Sequence, residues 1–193
     1  MAALNKDDEV KSAILEAARR VFQKWGLNKT TMEDIAHEAG KGKSTLYYYY
    51  KSKDEIFHAL AIDEFNTIIG KAKSSIDRIQ SAKEKLRKYI ATMLIETKRT
   101  VSIYPLVKGE IKGNKEFIDS LQKQLDDKEE AIIIDILNAG LVSGEFTSLK
   151  NVDMNKAANV LLGIIRGLML YLFLDNEDSE KIDIVTTLLS EGF

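Results

Sequence analysis

The stretch from Thr30 to Lys53, TTMEDIAHEAGKGKSTLYYYYKSK, constrains this 193-residue chain more than any other. Met32, Ile35, Ala36 and Ala39 fall at i, i+3, i+4 and i+7, the spacing of one apolar face on a short helix. Thr31 stands as its N-cap, with Asp34 as the return partner of a capping box; Thr30 with Glu33 is the alternative pair. Gly40 follows at once, and its freedom to take positive φ suits a helix C-terminus. After Lys41-Gly42 a second helix is predicted from about Lys43 to Tyr50. Leu46 and Tyr50, four apart, face inward together, so Ser44, Thr45 and Tyr48 point away. Helix, glycine turn, helix is the pattern of a helix-turn-helix.

Between Gly40 and Lys53 there are four lysines and no acid, whereas the whole chain carries a formal charge of -2. A chain without overall basicity binds nucleic acid when its cations are gathered where phosphates lie. A lysine run alone is more often a solvated face. Four adjacent tyrosines weigh against that reading, because large exposed aromatics need something to cover them. Phenols also pack on sugars and donate to phosphate oxygens.

These residues resemble the DNA-binding domain of the TetR family of bacterial transcriptional regulators. The likeness is carried by T-T-x-x-x-I-A-x-x-A-G at residues 30–40 and K-S-T-L-Y-Y-Y-Y-K-S-K at 43–53. It runs back through AILEAARRVFQKWG and forward into KDEIFHAL; the rest of the chain matches only in length and helical character. The family usually has an apolar residue and a serine where this chain has Lys41 and Gly42. It often has His and Phe in place of Tyr49 and Tyr50.

The remaining sequence is read as helical throughout. There is one proline and no cysteine, so disulfides and thiolate metal sites are excluded. The first residues, MAALNKDDEV, lack the apolar run of a signal peptide, and the expected location is cytoplasmic. A first helix is predicted from about Asp8 to Trp25, ended by Gly26. Its stripe is Ile14, Ala17, Ala18, Val21, Phe22 and Trp25, which places Trp25 in the core. Ser52 and Glu55 open a fourth helix to about Ser75 as a capping box. A fifth is expected from Ala82 to about Val101, a short sixth from Pro105 to near Gly113-Asn114, and a long seventh from Phe117 to about Leu141, ended by Gly140 and Gly144.

Residues 160–174, VLLGIIRGLMLYLFL, are apolar on every side apart from Arg166 and two glycines. This run is too short for a bilayer and must be covered all round. One face meets the chain's own core and the other is expected to meet a second copy. The expected interface residues are Leu161, Ile164, Ile165, Leu168 and Leu172, with Val185 and Leu189 from a last helix over about Ser179–Ser190. The resemblance implies the same dimer, through the last two long helices. Arg166, if buried, needs a carboxylate from its own core, from a second copy or from an acidic effector; structural pairing is favoured.

The fold class is therefore all-α. An N-terminal three-helix helix-turn-helix DNA-binding domain is expected over residues 1–53, and a C-terminal helical ligand-binding and dimerisation domain over 54–193. The expected function is a sequence-specific regulator of transcription: a repressor, by resemblance, released from a palindromic operator by a small molecule. The candidate DNA-binding residues are Lys43, Ser44 and Thr45 for base edges, with Thr31, Tyr47, Tyr48, Tyr49 and Lys53 for phosphates; the phosphate role of Lys53 is implied by the resemblance. The resemblance also implies an effector among the fourth to eighth helices. Its expected lining is Phe65, Ile69, Tyr89, Met93, Tyr104, Phe117, Leu121 and Tyr171, which suits an apolar or amphipathic molecule.

Rival chemistry is weaker. GKGKST ends like a P-loop, but the required first glycine is His37 and no strand pattern precedes it. The two histidines, His37 and His58, have no partners at metal-ligand spacing. No catalytic residues, metal or cofactor are expected. The alternative reading is a helical ligand-binding or protein-interaction module that does not bind DNA specifically.

Overall fold

The computed structural model describes residues 6–104, 110, 114–174 and 184–185, those of 170–174 by backbone alone. Every regular element among them is helical. In chain order these are α1 (Lys6–Lys29), α2 (Met32–Glu38), α3 (Lys43–Tyr49), α4 (Lys53–Ser75), α5 (Ala82–Ser102), α6 (Lys115–Ser143), a 3-10 turn (Thr147–Leu149) and α7 (Met154–Leu174). The expected short segment after Pro105 and the final helix near Ser179–Ser190 fall almost wholly outside the described residues.

The chain divides into two compact units. One is Met1–Glu64 with Val101–Leu121; the other is Phe65–Thr100 with Gln122–Phe193. Helices α4, α5 and α6 each contribute residues to both. This division follows packing, whereas the expected division after residue 53 follows function.

In the first unit Ile14, Ala18, Val21 and Phe22 of α1 close over Ile35, Ala36, Leu46 and Tyr50, with Ile56, Phe57 and Leu60 of α4 completing the core. Phe22 meets Phe57 edge-on at 5.4 Å. Gly26, at φ 76° and ψ 178°, breaks the α-helical path of α1. Trp25 departs from expectation. It is 39% exposed, with the Lys24 ammonium 4.9 Å from its ring centroid. A stripe position buries a side chain only where another element covers that turn.

In the second unit α4 and α5 run antiparallel, tied by Lys71 to Glu96 at 2.6 Å and by Ser75 to Thr92 at 3.2 Å. Ile68, Ile69, Leu86, Tyr89, Ile90 and Met93 are buried, as are Ile133, Ile136 and Leu137 of α6 and Leu161, Leu162 and Ile165 of α7. Gly144, at φ 78°, lies just past the end of α6. Gly140 lies inside the helix instead of ending it: a Cβ there would overlap the Phe146 ring, with ring Cγ at 2.7 Å. The neighbouring Glu145 turns back to the start of α5. Its carboxylate accepts from Ser81 Oγ at 2.6 Å and from the backbone N–H groups of Ala82 and Lys83 at 3.0 and 3.1 Å. Those bonds hold its pKa down at about 2.

Candidate nucleic-acid interface

The interface is built from local rules. Thr31 Oγ1 accepts from Asp34 N at 3.2 Å, and the Asp34 carboxylate accepts from Thr31 N at 2.8 Å and Thr31 Oγ1 at 2.6 Å. This is the complete capping box at the start of α2, and the Thr31 hydroxyl lowers the Asp34 pKa. At the other end Gly40 takes φ +61°. The N–H of Lys41 bonds Ala36 O at 3.0 Å and that of Gly40 bonds His37 O at 3.1 Å, the paired bonds of a Schellman turn. Gly42 begins α3 with no side-chain cap, as expected where a serine is replaced by glycine. Ser52 Oγ accepts from Glu55 N at 3.1 Å to start α4. The Glu55 carboxylate reaches one residue further back than expected, to Lys51 N at 2.6 Å.

Helix α3 sorts its tyrosines by phase. Leu46 and Tyr50 are buried, while Tyr47 is 46% and Tyr48 79% exposed. Tyr49 stands half-buried between them. Its ring meets Tyr48 edge-on at 4.9 Å and its hydroxyl donates to Asp7 Oδ1 at 2.7 Å. That bond raises its pKa to about 12, so it stays a neutral donor. Ser44 is exposed and Thr45 half-buried, on the outward side of the helix.

Lys43 is exposed and ion-paired to Glu33, its ammonium 5.8 Å from the Tyr47 ring centroid. The pair raises the Lys43 pKa and lowers that of Glu33. Lys53 is placed otherwise than the phosphate role requires. Its ammonium donates to Leu27 O at 2.8 Å, Asn28 O at 3.0 Å and Thr30 O at 3.0 Å. The Glu110 carboxylate holds the same turn from the other side, accepting from Leu27 N at 2.5 Å and Asn28 N at 3.1 Å. Glu33, Asp7 and Glu110 were not legible as parts of this surface, since each pairs across a separation with no local signal.

The expected effector-lining residues are divided. Phe65, Ile69, Tyr89 and Met93 belong to the second unit; Tyr104, Phe117 and Leu121 belong to the first. Phe117 stacks on Phe57 at 5.1 Å, and Tyr104 donates to Glu64 at 2.7 Å, so both serve the first unit's packing. The Tyr171 side chain lies outside the described residues.

Of the expected interface residues, Leu161 and Ile165 are buried in the chain itself and act as core. They sit one turn apart on the inward face of α7. The outward face carries Val160 at 65% exposure and Ile164 at 42%, with Gly163 and Gly167 exposed beside them and Leu168 half-buried. Val185 is half-buried; the Leu172 and Leu189 side chains lie outside the described residues. Arg166 is paired within its own chain, to Asp126 and to Glu129 at 3.0 Å.

Residues 14–60 match the family model of bacterial regulatory proteins, tetR family. The chain is 28% identical to the HTH-type transcriptional regulator TtgR of Pseudomonas putida, covering 83% of this chain and 79% of that protein. It is 27% identical to the fatty acid metabolism regulator protein of Bacillus subtilis, over 79% and 77% of the two chains. Among solved structures it resembles FadR of Bacillus subtilis in complex with stearoyl-CoA, with TM-score 0.69 at 23% identity over 94% and 98% of the two chains. The capped two-helix unit, the outward Tyr47–Tyr48 face and these likenesses agree: residues 14–60 are a DNA-binding domain of the TetR family type, and the chain is a DNA-binding regulator of transcription.

Proposed function

We propose that the protein is a homodimeric repressor acting in the cytoplasm, released from a palindromic operator by a small amphipathic effector. The observation that carries the DNA-reading part is α3 itself. The capping box and the Schellman turn fix the two ends of α2, which leads into α3, and the buried Leu46–Tyr50 pair sets which face of α3 turns outward. Lys43, Ser44 and Thr45 then meet base edges in the major groove, while the exposed Tyr47 and Tyr48 hold phosphates. Thr31 and Tyr49 reach a phosphate only by giving up their bonds to Asp34 and Asp7. Lys53 reaches a phosphate only by giving up bonds to carbonyls.

The exposed strip of Val160, Gly163, Ile164 and Gly167 supports dimerisation, because its glycines allow a second helix to approach closely. Two copies so joined read two half-sites roughly one helical turn, about 34–36 Å, apart. An effector acts only by preferring the conformation that fits DNA poorly. The relative named for fatty acid metabolism supports an effector with an apolar body.

The test is selection of bound sequences from random duplex DNA at two salt concentrations. Recovery of a palindrome, with affinity falling steeply as salt rises, supports the reading. Retention without enrichment of any site at low salt refutes sequence-specific binding and favours a protein partner for the tyrosine surface.

A further inference from the structure

Glu33 on α2 and Lys43 on α3 are both exposed, and the Lys43 ammonium donates to the Glu33 carboxylate between the two helices. That bond holds the Glu33 carboxyl below and the Lys43 ammonium above their ordinary values, so both are charged near neutral pH. Tyr47, one turn on from Lys43 and itself exposed, has its ring centroid 5.8 Å from the same ammonium. The pair therefore lies on the face that α3 turns outward. The other two acids of α2 are committed elsewhere. Asp34 closes the capping box with Thr31, and Glu38 accepts from Arg20 Nε at 2.5 Å.

An ion pair this exposed contributes little to stability. A carboxylate turned toward DNA also costs affinity through like-charge repulsion, unless the DNA donates a hydrogen bond to it. In the major groove the donors are the N4 amino group of cytosine and the N6 amino group of adenine. Lys43 has the opposite need. Its ammonium is a donor only, and guanine N7 and O6 accept from it. In a G·C pair, guanine O6 and cytosine N4 are hydrogen-bonded to each other, about 2.9 Å apart. The ammonium and carboxylate of a bonded ion pair are spaced alike. The two pairs can thus meet edge to edge, with Lys43 on N7 and O6 and Glu33 on N4. At a T·A pair the same placement sets the ammonium against the thymine methyl group and the carboxylate against the acceptor N7 of adenine.

We propose that Glu33 is a specificity-determining residue, which with Lys43 reads one G·C base pair in each half-site as a single unit. The inference rests on the reading that Lys43 meets base edges. It adds a residue from outside α3 and names the base pair.

The test is selection from random duplex DNA with three full-length proteins: wild type, Glu33→Ala, and the exchanged double variant Glu33→Lys with Lys43→Glu. Wild type is expected to enrich a site with a fixed G·C pair in each half. In Glu33→Ala the preference for that pair over T·A should fall about tenfold, with the other positions retained. The exchange reverses donor and acceptor, so the double variant should prefer C·G at the same position. Both side chains are exposed, so the variants are expected to fold, and circular dichroism melting checks this. If the exchange variant fails to fold, Glu33→Ala alone decides. A wild-type site with no fixed G·C pair, a preference unchanged in Glu33→Ala, or a folded exchange variant that does not invert the pair would each overturn the inference while leaving base reading by α3 intact. If wild type enriches no site at all, base reading and the inference fall together.

Discussion

Lys53 separates two accounts of how this protein holds DNA. The family resemblance gives its ammonium to a phosphate; the structure gives all three of its hydrogens to the carbonyls of Leu27, Asn28 and Thr30. Each bond from a charged donor contributes about 1.5–3 kcal/mol in net terms. The three share one nitrogen and the Asn28 carbonyl regains water, so their sum is not additive. Lys53→Ala is therefore expected to cost about 2–3 kcal/mol of stability. Lys53→Met, which keeps the aliphatic stem, should cost nearly as much, because the loss lies in the ammonium. Urea unfolding followed by circular dichroism measures the cost, and DNA titrations at several salt concentrations measure the phosphate contact. A clamp predicts lower stability with the salt slope little changed. A stability loss under about 0.5 kcal/mol, with the slope flattened by about 0.9, would refute the clamp and return Lys53 to the phosphate.

Other perturbations test neighbouring arguments. Glu33→Gln removes the acid that holds Lys43, so binding to non-specific DNA in filter-binding assays at low salt should tighten roughly threefold, more than operator binding does. Gly140→Ala drives a Cβ into the Phe146 ring, and thermal or urea unfolding should show a loss of about 2–3 kcal/mol. Glu145 has a folded pKa of about 2 against an ordinary 4.5. Its contribution is thus present above about pH 4.5 and lost as pH falls toward 2. Urea midpoints measured across that range should fall more steeply for wild type than for Glu145→Gln, and the two should converge at the acid end.

The parts of the molecule that sequence predicted well are those governed within one helical turn. The Thr31–Asp34 box, the Gly40 turn, the break at Gly26 and the inward Leu46–Tyr50 pair all follow from residues at most four apart. Trp25 failed because its burial depends on what covers the last turn of α1, which periodicity does not encode. Glu33 with Lys43, Asp7 with Tyr49 and Glu110 with the turn after α1 are pairings between distant residues. Nothing in a single chain marks which acid meets which donor. The apolar run at 160–174 signalled a covered helix, yet could not sort Leu161 and Ile165, which face inward, from Val160 and Ile164, which do not.

The four tyrosines of α3 are identical letters under different constraints. Tyr50 is locked by the core and Tyr49 by Asp7, whereas Tyr47 and Tyr48 present large exposed rings. Substitution at the outer pair is therefore nearly neutral for stability, while substitution at the inner pair is not. A lineage carrying this domain can retune how tightly it grips any DNA through positions 47 and 48 without passing through a poorly folded ancestor. Changes of overall affinity and salt dependence among its descendants should accumulate there, and changes of sequence preference at Lys43 and Ser44, which are exposed as well.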